Sequence, residues 1–210
     1  MWIPCNEAPQ ADGGAATNTA LNRGLSQFDQ THRLVLAYVY DLPFGQGRKY
    51  LNRGGIVGAV LGGWQQSGSF VAHSGIPFNI YSGSSAPTGG ISGYVYANCI
   101  GDPSLSSRGT AEWFNTSAFS DPAAYHVGSC GRDIVRGPGA WGYNAAMMKN
   151  FKIPVTTHEA LTLQIRADAF NFFNHPNLGL PGNTLDTTSF GVITSASAPR
   201  TLQLGAQLQF

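Results

Sequence analysis

From Arg200 to Phe210 the chain reads Arg-Thr-Leu-Gln-Leu-Gly-Ala-Gln-Leu-Gln-Phe. Leu202, Leu204, Ala206, Leu208 and Phe210 fall on one side of this run, and Thr201, Gln203, Gly205, Gln207 and Gln209 on the other. Successive side chains of a strand point to opposite faces, so an unbroken period of two specifies a strand. Its polar side carries amides rather than the Lys and Glu of an ordinary water-facing sheet, and the run stops on an aromatic.

The same alternation recurs upstream. In 161–174, Leu161, Leu163, Ile165, Ala167 and Ala169 alternate with Thr162, Gln164, Arg166 and Asp168, and the far end holds Phe170, Phe172 and Phe173. Segment 143–153 sets Tyr143, Ala145, Met147, Phe151 and Ile153 on one side, with Lys149 as the exception. Segment 64–81 sets Trp64, Phe70, Ala72, Ile76, Phe78 and Ile80 against Gln65, Ser67, Ser69, His73 and Asn79, with a bend expected at Gly75 and Pro77. Segment 34–44 sets Leu34, Leu36, Tyr38, Tyr40, Leu42 and Phe44 against Arg33, Val35, Ala37, Val39 and Asp41.

The expected strands are therefore 34–44, 64–81, 143–153, 161–174 and 200–210. Each is about ten residues or longer, whereas globular strands run nearer five or six. A tilted strand that crosses a bilayer needs about 9–11. The fold class read from this is all-β: an antiparallel transmembrane β-barrel segment of about five long meander strands with long external loops. A soluble β-sandwich also alternates, but two features favour the membrane. One is the lack of Lys and Glu on the polar faces of the strands. The connections also alternate in length, as the short periplasmic turns and long external loops of barrels do. Segments 154–160 and 45–63 are then inside, the second long for an inner turn. Segments 82–142, 175–199 and 1–33 are outside, 1–33 being an external loop and the end of an upstream barrel.

Composition removes other classes. A net charge of +1 without a basic stripe excludes a nucleic-acid partner. No apolar run approaches a membrane helix, the most apolar being 54–63, broken by five glycines. The first residues carry neither the basic start nor the apolar core of a leader, so an exported protein is expected to begin upstream of Met1.

Several segments together resemble the barrels of TonB-dependent receptors, in particular the Oar-like transporters of acidobacteria. They are Phe28-Asp29-Gln30-Thr31-His32-Arg33 with Tyr38-Val39-Tyr40-Asp41-Leu42-Pro43-Phe44-Gly45, then Leu61-Gly62-Gly63-Trp64-Gln65 and Ser74-Gly75-Ile76-Pro77-Phe78. Trp113-Phe114-Asn115-Thr116 with Ala118-Phe119, Arg136-Gly137-Pro138-Gly139, Lys149-Asn150-Phe151 and Arg166 to Asn177 follow in order. The resemblance covers roughly 28–210 and implies the C-terminal strands of a barrel of about 22, whose plug, TonB box and regulatory-like domain lie upstream. It implies energised uptake of a large or scarce solute, to which this chain supplies wall and external loops. The implied partners are outer-membrane lipid, the rest of the barrel and its plug, TonB through the missing part, and the barrel-assembly machinery. A passive porin-like barrel or surface adhesin is the alternative, and a secreted carbohydrate-binding β-sandwich a second.

On this reading Leu161, Leu163, Ile165, Ala167, Leu202, Leu204 and Leu208 face lipid. Gln164, Arg166, Asp168, Gln203 and Gln207 face the lumen. Phe210, with Leu208, Ala206, Leu204 and Leu202, resembles the terminal signal read by the assembly machinery. Cys99 and Cys130 both lie in 82–142 and are expected to form a disulfide in an exported protein, Cys5 being left over. Trp113, Trp141, Tyr125 and Tyr94 are candidates for stacking on sugars or for simple packing. The five histidines are scattered, and no nucleophile elbow or phosphate loop is present. The chain is thus expected not to be an enzyme and to hold no metal or cofactor.

Overall fold

The computed structural model describes residues 21, 23–45, 47–52, 55–83, 95–124, 126, 128–154 and 160–209. Among the described residues nine strands and one short α-helix follow in chain order. They are β1 (Arg33–Asp41), α1 (Ile56–Leu61), β2 (Trp64–His73), β3 (Pro77–Phe78), β4 (Asn98–Cys99), β5 (Phe119–Ser120), β6 (Val135–Arg136), β7 (Ala140–Pro154), β8 (Ala160–Phe170) and β9 (Thr201–Gln209). The long ones form one open sheet in the order β1-β2-β7-β8-β9. These are the five strands that the alternation predicts, laid side by side as a meander. β7 pairs antiparallel with β8 from Ala145↔Ala169 to Pro154↔Ala160, and β8 with β9 from Thr162↔Gln209 to Phe170↔Thr201.

The strand ends differ from the alternation, for local reasons. β1 stops at Asp41 rather than at Phe44, because Pro43 has no N–H to donate and Gly45 turns the chain at φ 112°. β2 stops at His73 rather than continuing to Tyr81, and Gly75 lies so close to Gly137 that an added Cβ would be 1.9 Å from its carbonyl oxygen. Beyond Gly75, Pro77 and Phe78 leave the large sheet and pair with Arg136 and Val135. β7 is longer than the expected 143–153. β8 ends at Phe170, not Asn174, because Asn171 and Asn174 adopt left-handed φ values of 50° and 53°. Asn does so at low cost when its side chain bonds nearby backbone. Here the Asn171 Oδ1 accepts from the His175 N–H at 2.9 Å, and the Asn174 Oδ1 from the Arg200 N–H at 2.9 Å.

The chain divides into two compact units. One comprises 33–72, 141–176 and 198–210, and holds the large sheet. The other comprises 1–32, 73–140 and 177–197. The stretch expected as an external loop is thus largely folded, with a core of its own. Phe78, Ile80, Ala97, Phe114, Ala118, Phe119, Cys130, Val135 and Leu185 form that core, and Trp113, Tyr96 and Phe190 pack against it. Phe114 meets Phe119 and Phe190 edge-on at 5.6 and 5.2 Å between centroids, a favoured aromatic arrangement. No described helix is long and apolar enough to cross a membrane.

Candidate functional site

Contacts and register divide the large sheet into two faces. Leu163 lies opposite Leu208, Ile165 opposite Ala206, Ala167 opposite Leu204 and Ala169 opposite Leu202. The same face continues through Ile153, Phe151, Lys149 and Met147 of β7, which pair with Leu161, Leu163, Ile165 and Ala167. It reaches β2 and β1 through Tyr38, Gln66, Gly68 and Tyr143. The Gln66 Nε2 donates to the Tyr38 hydroxyl at 2.7 Å and the two tyrosine hydroxyls bond each other. Nearer the start of β7, Trp141 packs on Phe70 and stacks on His175 at 4.2 Å, with Phe173 beside it.

The opposite face is polar along β8 and β9, carries Val35, Ala37 and Val39 on β1, and pairs Arg166 and Asp41 each with a local partner. The Arg166 Nε donates to both Asp168 oxygens at 2.9 and 2.8 Å, and the Gln164 amide to the Asn150 Oδ1 at 2.9 Å. Asp41 accepts from Gln65 at 2.9 Å and from Arg48 at 3.2 Å. Gln203 and Gln207 stand on this face opposite Asp168 and Gln164. The five residues expected to face a lumen therefore share one face, and the seven expected to face lipid share the other.

Lys149, the exception to the alternation, is 3% exposed although it stands on the apolar face. Its Nζ donates to the carbonyls of Val60, at 2.8 Å, and Gly62, and lies 4.6 Å from the Phe151 centroid and 5.5 Å from that of Trp64. These carbonyls belong to the C-terminal end of α1, where helix carbonyls lack internal partners. The Trp64 Nε1 also donates to Val60 O at 3.0 Å. Neither α1 nor its pairing with Lys149 is visible to a period-two reading. The one signal was that a lone cation interrupts an apolar series.

In the other unit Cys99 and Cys130 are joined, with Cα atoms 4.9 Å apart. Trp113 donates its indole N–H to the Arg136 carbonyl at 2.8 Å and has the Arg108 guanidinium over its ring, so its polar edge is engaged within its own unit. Among the described residues of this unit, two carboxyls deviate from ordinary behaviour. Asp102 is held low by the backbone N–H and hydroxyl of Ser104. Asp186 is raised by its hydrogen bond to Asp121 and by that group's charge, while Ser82 donates its hydroxyl to Asp121. Among the described residues no group of three or more His, Cys, Asp and Glu is placed to hold a metal. Phe210, Cys5, Tyr94 and Tyr125 lie outside the described residues.

Residues 6–203 match the family described as outer membrane beta barrel domain. The chain belongs to that family. No curated protein and no solved structure matches it. As an outer membrane β-barrel domain it is a protein of the bacterial outer membrane and its long strands are transmembrane. The secreted β-sandwich, which shares the alternation, is set aside by this membership.

Proposed function

We propose that the chain forms wall and external loops of a TonB-dependent, Oar-like receptor that takes up a large or scarce solute. On this reading the apolar face meets lipid and the polar face the lumen and its plug. The strand end bearing α1 faces the periplasm. The observation that carries the reading is the second unit. Its segments 73–140 and 177–197 are the connections from β2 to β7 and from β8 to β9, and they share one apolar core, with a disulfide inside the first, rather than forming open loops. A passive pore needs no such folded insertion, whereas capture of a solute at the outer face uses one. The self-paired Arg166 and Asp168 and the amide-rich wall suit a surface that holds a plug by hydrogen bonds without a fixed net charge.

The test uses the protein from its own outer membrane. It should co-isolate with the periplasmic domain of TonB, and it should stay closed in planar bilayers. Steady open conductance without TonB binding would replace this reading by the passive porin. The assembly partner has its own test. β9 is exposed along its whole length and is an edge of the sheet, so it is free to pair with another strand. Deleting Phe210 should lower the assembled receptor while synthesis and export continue. Normal assembly of the deletion would remove the terminal-signal assignment.

A further inference from the structure

The connection between β1 and β2 has a chemistry of its own. Segment 45–63 carries Arg48, Lys49 and Arg53 and no acidic residue, in a chain whose net charge is +1. Lys49 is exposed and its Nζ lies 5.4 Å from the centroid of Tyr50, which is itself half-exposed, as is Leu51. α1 has no charged residue, and Val60 and Leu61 are each about half-exposed. The helix is not a loose arm. Lys149 and Trp64 stand on the apolar face of the sheet and together bond the Val60 and Gly62 carbonyls. The end of α1 is thereby held on the apolar side of the wall rather than on the polar side.

Cations, an aromatic and exposed aliphatic groups in one short segment are the means by which proteins bind the interface of an anionic membrane. We propose that segment 45–63 binds anionic phospholipid of the periplasmic leaflet. Lys49 and Arg48 meet the headgroup phosphate, and Tyr50, Leu51, Val60 and Leu61 enter the upper acyl region. Arg48 contributes less than Lys49, because Asp41 already engages it at 3.2 Å. The inference rests on the lipid assignment of the apolar face and is independent of TonB. An acidic protein partner is the competing occupant, and it would show no preference among lipids.

Native mass spectrometry of the protein in nonionic detergent, with phosphatidylglycerol or phosphatidylcholine added, tests it. Phosphatidylglycerol should be retained in preference, and raising salt from about 0.05 to 0.5 M should erase the preference by screening. Lys49→Gln should lower phosphatidylglycerol retention about fivefold, the effect of one basic residue at an anionic surface. Arg200→Gln, at the other end of the strands, should leave it unchanged. Equal retention of the two lipids by the unsubstituted protein overturns the proposal whatever the variants do. So does a fall as large in Arg200→Gln as in Lys49→Gln. Loss of TonB binding with the lipid preference intact would instead strike only the receptor reading.

Discussion

Replacing Ile165 by Arg tests the two faces directly. β8 has 11 residues and Ile165 is the sixth, so it lies at the middle of the strand. At about 3.3 Å per residue and a tilt near 45°, such a strand rises about 25 Å, the height of the apolar band of an outer-membrane barrel. Arg at the lipid-facing midplane costs about 2–4 kcal/mol. The register adds to this, since Ile165 lies directly opposite Lys149, and like charges so placed repel. The upper part of the range is therefore expected, a shift of several hundredfold in the folding equilibrium, at about 1.4 kcal/mol per tenfold. Gln164→Arg places the same side chain one residue away on the polar face. It forfeits the 2.9 Å hydrogen bond to Asn150, worth about 0.5–1.5 kcal/mol. Urea titration of the protein folded into phospholipid vesicles, read by heat-modifiable migration, measures both. Equal costs, or a larger cost at Gln164, would refute the assignment of the faces.

Other expectations follow from single contacts. Cys130→Ser should destabilise the second unit by about 4 kcal/mol, from the loop-entropy relation applied to the separation of 31 residues, and non-reducing peptide mapping should find Cys99 and Cys130 bonded in the unsubstituted protein. Gly68→Ala would set a Cβ 2.7 Å from Tyr38 and 2.8 Å from the Tyr143 hydroxyl, overpacking of a kind that costs about 1–3 kcal/mol. Gly142→Ala meets nothing within 4 Å and should be near neutral in the same titration. Asp186 holds its proton better folded than unfolded, so the stability of its contact with Asp121 is complete below the ordinary carboxylate range and is lost as pH rises through the raised value. The protection of amides near Leu185, taken relative to their intrinsic base-catalysed exchange, should therefore fall as pH rises through this range, and Asp186→Asn should abolish that fall.

The wall was legible because membrane-crossing strands are long enough for a period of two to repeat several times, as from Leu161 to Ala169. Their ends were less so. Whether a strand stops at Phe170 or Asn174 depends on a left-handed asparagine whose partner, Arg200, is far along the chain. The second unit was hidden because its strands are two residues each, too short to show a period. Phe78, Phe114 and Phe190 converge only in three dimensions. Lys149 marks the same limit. Its charge was conspicuous, but the carbonyls that receive it lie 87 and 89 positions earlier.

The second unit also combines contacts of very different reach along the chain. Its disulfide lies within one continuous segment, 73–140, and spans 31 residues. Closing that ring requires no strand of the wall to be in place. The ring contact between Phe114 and Phe190 is different, because β7 and β8 intervene in the chain. Loop closure of that length is slow unless the intervening strands have already folded back on each other. Cys99 and Cys130 thus pair locally in the chain, whereas the seating of Phe190 closes a loop that contains both β7 and β8. Pairing of β7 with β8 draws the ends of that loop together, so the aromatic core of the second unit gains Phe190 at a lower loop-closure cost when the hairpin is formed.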